Sequence, residues 1–87
     1  MKLDPELKLV IARMEAISDN LDEMLRMLRS GSATANDLLP VVRRHETLFR
    51  EGRISIAETH GEERAAILDS IIARVVACRR EVELRIQ

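Results

Sequence analysis

An unbroken heptad pattern near the start of the chain constrains the fold most. Seven apolar side chains recur there in alternating steps of three and four residues. This spacing puts them on one stripe of an α-helix and is typical of helices that pack through coiled-coil-like seams. The positions are Leu7, Val10, Met14, Ile17, Leu21, Met24 and Leu28. The pattern therefore predicts a long amphipathic first helix.

Residues at both ends of this pattern give its limits. Asp4 is a good N-cap, and Pro5 suits the first helical position, where its missing N–H costs least. Gly31 suits the left-handed position just beyond a helix end. We expect helix 1 at about 5–30.

A second amphipathic stretch predicts helix 2 at about 37–58. Asn36 is a candidate cap, and Pro40 would then lie in the first turn. Gly52 either ends the helix or lets another helix approach closely. Residues 53–57 alternate between apolar and polar, but no other strand exists for them to pair with, so we favour continued helix.

The last third of the chain predicts helix 3 at about 61–86. Thr59 and Glu62 have the spacing of a capping box. Ala65–Cys78 is apolar over much of a helical circumference, as in helices buried between two neighbours. Apolar and charged residues alternate in 81–87, so this tail is either frayed or ordered by a partner.

Together these elements predict an all-α single domain over 1–87, a three-helix antiparallel bundle with coiled-coil-like seams. A domain of this size buries only about 60–65% of its unfolded surface. The single cysteine, Cys78, excludes an intramolecular disulfide. Another polypeptide is the usual source of extra burial, so we expect a homodimer or a complex with a protein partner.

We expect helices 1 and 3 to supply the partner-binding surface, because both carry more apolar surface than a lone bundle needs. Met-rich stretches of helix 1 would suit an adaptable contact. The predicted partner-binding residues are Leu7, Met14, Leu21, Met24, Leu28, Ile72, Val76 and Val82.

Composition argues against several other classes of partner. Fourteen basic residues balance fifteen acidic ones, and Phe49 is the one aromatic residue, so we expect no nucleic-acid binding. No stretch has the length and apolar character of a membrane span or a secretory signal, so we expect a cytoplasmic protein without membrane contact.

Catalytic and metal-binding patterns are also missing. His45 opens a sequence like the zinc-protease motif HExxH, but Phe49 occupies the second ligand position. His45, His60 and Cys78 lack metal-ligand spacing. An apolar setting would make the Cys78 thiol a poor nucleophile. We therefore expect no cofactor, no metal, no small-molecule substrate and no catalytic residues.

One stretch resembles the small helical flagellar export chaperones of the FliT type. The resemblance covers about the last fifty residues and rests on Asp37-Leu38-Leu39, Arg44, Leu48, Ile67-Leu68, Ile71, Val75 and Cys78-Arg79-Arg80. It implies a cytoplasmic helical protein that binds helical segments of export substrates, with apolar faces as its only site.

A second resemblance is to the small all-helical chorismate mutases, carried by Ile11–Arg29 and Ile71–Arg80. It implies an active site in which several arginines and lysines hold a dianion. Here Gly31 ends the first helix early, and no lysine follows Lys8. This enzyme is the distant alternative.

The function we expect is a non-enzymatic protein–protein interaction domain of chaperone or adaptor type. The alternative is a small regulator or inhibitor, such as a phage- or plasmid-type antagonist of another protein. The sequence does not separate these two roles.

Overall fold

The structure, a computed structural model, describes residues 4–86 and is built of helices packed against one another. Its elements are α1 (Pro5–Ser30), α2 (Ala35–His60), α3 (Glu62–Ala65) and α4 (Asp69–Leu84), with a 3-10 turn (Ala66–Leu68) between the last two. The described residues contain no strand. The predicted all-α class is confirmed.

Helix α1 has the bounds that its caps predict. The Asp4 carboxylate accepts a hydrogen bond of 2.8 Å from the backbone N–H of Glu6, and Pro5 opens the first turn. At the other end Gly31 has φ +82°. Its N–H bonds back to the carbonyl oxygens of Leu28 and Met27, which satisfies the last turn.

Helix α2 is longer than predicted at both ends. Its N-cap is Thr34 and not Asn36: the Thr34 hydroxyl accepts a 3.2 Å hydrogen bond from the N–H of Asp37. The helix therefore starts two residues early, and Pro40 lies inside it. It runs without a break through Gly52 and residues 53–57, so the favoured interpretation of that segment is correct.

The third helical segment starts at Glu62, as predicted, but without the predicted capping box. The Thr59 hydroxyl donates to the carbonyl oxygen of Ser55 at 2.9 Å, within its own helix, and α3 has no side-chain cap. The break comes at Gly61, where φ is +93°. Within the tail 81–87, helix continues to Leu84, and Gln87 lies outside the described residues.

Ion pairs between helices define their directions. The pairs between α1 and α4 are Asp22–Arg74 and Arg29–Glu81, and those between α2 and α4 are Glu46–Arg79 and Arg53–Asp69. Residue numbers rise together in the first two pairs, so α1 and α4 run in the same direction. They run oppositely in the last two, so α2 is antiparallel to both.

One apolar core lies between the helices. Phe49 of α2 is its largest side chain, packed with residues from every helix. The buried apolar residues are Leu7, Met14, Leu21, Leu28, Ala35, Leu38, Val42, Phe49, Ile56, Ala65, Leu68, Ile71, Ile72, Val75, Cys78 and Val82. Ser18, 1% exposed, is the one buried polar residue of the described chain, and its hydroxyl has no hydrogen-bond partner there.

Candidate protein-interaction surface

Most of the predicted partner-binding residues lie inside the chain's own core. Leu7, Met14, Leu21, Leu28, Ile72 and Val82 are all buried, and Met24 and Val76 are half-buried against the same core. The neighbouring helices of the same chain thus cover the heptad stripe of α1. The physical reason is that an apolar stripe with heptad spacing packs equally well within one chain or between two. In this conformation Met24 and Val76 are the predicted residues that keep surface open to a partner.

Seven large apolar side chains remain exposed after this core has closed. They are Leu9 (52%), Met27 (38%), Leu48 (52%), Ile54 (58%), Ile67 (40%), Leu84 (86%) and Ile86 (40%). Single exposed apolar residues are ordinary on a protein surface. What matters is which of them lie on one side of the molecule.

Helix α4 is the best-anchored helix, and its arginines account for this. Arg74 reaches Asp22 of α1 at 2.6 Å, and Arg79 reaches Glu46 of α2 at 2.5 Å. Burial disfavours the charged form of Glu46, yet hydrogen bonds from Arg79 and Arg50 outweigh it and hold the pKa of this carboxyl below its usual value. Charged side chains thus join α4 to both other long helices.

A second arginine, Arg53, joins α2 to the start of the third segment. Its guanidinium lies 2.6 Å from both Glu62 and Asp69. The hydrogen bond from Arg53 lowers the pKa of Asp69. At the opposite end Arg29 binds Glu81 through two hydrogen bonds, of 2.7 and 2.9 Å. These carboxylates are structural ion-pair partners of arginine.

The contact between α1 and α2 is different. These helices touch less extensively than either touches α4, and no ion pair joins them within residues 4–86. At Gly52 an added Cβ would lie 2.8 Å from the Met14 methyl, so the glycine admits this side chain. Gly52 therefore faces α1, whereas Glu46 and Arg53 face α4.

This placement shows which exposed residues share the open side of the α1–α2 pair. Leu48 lies one turn from Gly52, on the α1 side of α2. On α1, Leu9 and Met27 lie about 160° around the helix from Arg29, which faces α4. We call this side the α1/α2 face; its exposed residues are Leu9, Arg13, Ala16, Asn20, Glu23 and Met27 of α1 and Asp37, Arg44, Leu48, Glu51 and Ser55 of α2.

Sequence reasoning missed most of this face. It named none of Leu9, Met27 and Leu48 among the predicted partner-binding residues. A usable signal existed: Leu9 and Met27 are 18 residues apart, which is five full helical turns, so they must share one side of α1.

Other reactive groups have roles within the fold. Cys78 is 3% exposed, and burial raises the pKa of its thiol to about 11, which keeps it protonated and unreactive at neutral pH. The Nδ1 atom of His45 lies 2.7 Å from the carbonyl oxygen of Val41, one turn back in α2. Arg79 is ion-paired with Glu83 as well as with Glu46.

Asp4, Glu6 and His60 form the one group of metal-ligand types that comes together among residues 4–86. Their ligand atoms lie within 4.8 Å of one another near the start of α1 and the end of α2. Asp4 already caps α1, and Nδ1 of His60 lies 2.8 Å from the Thr59 hydroxyl. Groups engaged in this way make a poor preformed site.

An open depression of about 520 Å³ lies at the other end of the molecule. Its lining residues are Leu28, Gly31, Ala33, Thr34, Ala35, Asn36 and Arg85. The Arg85 guanidinium in it lies 3.7 Å from Glu81. This wide depression is formed by the α1–α2 loop and lacks the convergent polar groups of a small-molecule site.

Comparisons with known proteins add no assignment. No family model matches the sequence, and neither a curated protein nor a solved structure matches the chain. Within residues 4–86, no helix has the length and apolar character needed to cross a membrane.

Proposed function

We propose that this chain is a non-enzymatic protein–protein interaction domain that binds its partner through the α1/α2 face. The partner is another protein or a second copy of the chain. The role we assign is that of a cytoplasmic chaperone or adaptor, as in the flagellar export chaperones that the last fifty residues resemble.

One observation carries the proposal. Leu9, Met27 and Leu48, between 38% and 52% exposed, lie on the side of the α1–α2 pair that no helix of residues 4–86 covers. The two helices there share no ion pair within that range, so the contact between them is apolar. A two-helix face with exposed apolar side chains is a surface that an additional helix can pack against in helical complexes.

The charged residues favour this role over the distant enzyme alternative. A site for a dianion needs several free cationic side chains that converge on one pocket. Arg29, Arg53, Arg74 and Arg79 are each paired with carboxylates in contacts between helices. Arginines engaged in this way support the fold and are not free to bind a substrate.

Photo-crosslinking in host cells tests the proposal. A photoreactive amino acid at position 48 is compared with the same residue at position 54. Ile54 is a matched control because it is apolar, on the same helix and 58% exposed against 52% for Leu48, but 120° around the helix. We expect protein adducts at position 48 and few at position 54.

The masses of the adducts report the partner directly. An adduct of about twice the chain's mass is a second copy, and any other mass is a different protein. Equal yields at the two positions, or no adduct at either, would contradict a binding role for the α1/α2 face.

A further inference from the structure

We infer that the partner on the α1/α2 face is a second copy of this chain, packed antiparallel about a two-fold axis. This inference rests on the proposed function, because it names the occupant of the same surface. It follows from the order of residues on the face, which is symmetric in α1 and again in α2.

The exposed stripe of α1 is self-complementary when reversed. Leu9 and Met27, Arg13 and Glu23, and Ala16 and Asn20 are three pairs, each centred on position 18. In an antiparallel α1–α1′ contact with its two-fold axis at that position, each residue meets its counterpart on the other chain. Arg13 then faces Glu23 twice, and Glu23 also pairs with Arg26 of its own helix. The outer contacts are apolar, and small residues lie at the centre, where helices approach most closely.

The centre of the exposed α2 stripe has the same property. Arg44 and Glu51 lie on either side of Leu48, at nearly equal distances along the helix. Neither charged residue has an ion pair within residues 4–86. An antiparallel α2–α2′ contact centred at Leu48 brings each Arg44 to a Glu51 and places the two Leu48 side chains against each other.

The two centres lie at similar heights, so one axis can serve both helices. Gly52 is beside the terminal methyl of Met14, and the helices run in opposite directions. Four residues onward from Met14 in α1 and four residues back from Gly52 in α2 move the same distance in the same direction. Position 18 is thus level with Leu48 to within about one helical turn, which is the reach of a methionine side chain. A single two-fold axis crossing the face there brings the central residues of both stripes together.

The face is large enough for a small interface. The paired stripe of α1 from Leu9 to Met27 spans about 27 Å at 1.5 Å per residue, and the molecule is 17 Å across the helices. A contact over this part of the face is smaller than the ~800 Å² per partner of a standard interface and belongs with the interfaces of weak complexes. Its mixture of apolar side chains and ion pairs matches the composition of dimers that dissociate at low concentration.

Charge reversal followed by mixing tests the inference. The purified chain is compared with Arg13→Glu and Glu23→Arg by sedimentation equilibrium. In either variant alone, both cross-chain pairs become like-charged, and we expect the dissociation constant of the dimer to rise about tenfold or more. In an equimolar mixture both pairs are again opposite in charge, so a heterodimer forms with an affinity near that of the original chain.

A disulfide experiment locates the axis independently. Leu48→Cys places one thiol of each chain at the two-fold axis, so mild oxidation links the chains, whereas Ile54→Cys forms no interchain disulfide. Cys78 does not interfere, because it is buried and its thiol pKa is raised. Circular dichroism checks that each variant is folded, which is expected because all substituted positions are exposed.

Three results would overturn the inference: a monomeric chain at all concentrations, a dimer unaffected by either single reversal, or variants that stay apart when mixed. The proposed function is judged separately. A chain that is monomeric when pure but crosslinks through position 48 to a different protein in cells retains its binding role and loses only the second copy. A chain that is monomeric and yields no adduct loses both.

Discussion

The α4 side of the molecule and the α1/α2 face are built from the same kinds of residue but held together differently. On the α4 side, Arg74 and Arg79 reach across to carboxylates on α1 and α2 above a closed apolar layer. On the α1/α2 face, Arg13, Arg44 and Glu51 are exposed and lack ion pairs within residues 4–86.

This difference separates residues that hold the fold from residues free to bind. An arginine that joins two helices cannot also contact a partner without weakening the fold. An exposed arginine beside an exposed leucine loses little when a partner covers it. The contrast teaches that the proposed binding face carries charged residues, Arg13, Arg44 and Glu51, that the fold does not use in ion pairs within residues 4–86.

The largest expected effect distinguishes the closed core from the open face at two adjacent positions. Phe49 is 2% exposed, whereas Leu48 is 52% exposed. Phe49→Ala leaves a cavity shared by all the helices and should lower the free energy of unfolding by about 3–5 kcal/mol. Leu48→Ala should change it by less than about 0.5 kcal/mol.

Urea denaturation at a concentration where the chain is monomeric measures both variants. Similar losses at positions 48 and 49 would mean that the open face is a closed part of the core, and the comparison between the two sides would fail.

The sequence predicts the helices well but not the side on which the protein binds. Helix α1 follows from Asp4, Pro5 and Gly31 because each acts on its own neighbouring backbone. The predicted start of α2 was wrong because Thr34 and Asn36 are both competent caps, and only packing decides between them. The heptad stripe defines an apolar surface, but whether the same chain or another covers it depends on long-range packing.

The proposed partner surface could be identified only once Gly52 was known to lie beside Met14. Position 18 and Leu48 could not be placed level from sequence, because the lengths of the helices and of the loop between them had to be known first. The reversed order of residues in each stripe is present in the sequence itself, but it has meaning only once both stripes lie on one face.

The effect of intermediate size is the pH dependence of stability, which tests the ion pairs on the α4 side. Hydrogen bonds to arginines lower the pKa values of Glu46, Glu81 and Asp69 in the folded chain. A carboxyl with a lowered folded pKa stabilises the fold above its unfolded pKa, and this contribution is lost as the pH falls through the folded pKa. We therefore expect the free energy of unfolding to decline below about pH 4.3.

Glu46→Gln isolates one of these carboxyls. This substitution should lower the free energy of unfolding by about 1 kcal/mol at neutral pH. It should also reduce the fall of that free energy in acid, because one titrating contact is gone. Glu58→Gln is the matched control: Glu58 is exposed on the same helix and has no ion pair within the described chain. Chemical denaturation from pH 3 to 7 measures all three proteins, and an unchanged acid profile for Glu46→Gln would show that its contact with α4 adds nothing.

The smallest expected effect tests how loosely α1 and α2 are packed. Gly52→Ala gains about 1 kcal/mol of helix propensity, but its Cβ would lie 2.8 Å from the Met14 methyl. That methyl ends a flexible side chain, and the helices around it touch less than their neighbours do, so it can move aside at small cost. We expect a net gain of about 0.5 kcal/mol in the free energy of unfolding, measured by urea denaturation.

The larger substitution Gly52→Leu tests how large a side chain at position 52 the α1–α2 contact can accommodate. Its side chain must push α1 away from α2, and overpacking of this kind costs about 1–3 kcal/mol. If Gly52→Ala already cost that much, the α1–α2 contact would be as rigid as the contacts of α4. A rigid contact would hold the heights of position 18 and Leu48 firmly without any partner. A compliant one lets the two stripes adjust to a common axis, so the sign of this small effect bears directly on how a second chain would fit.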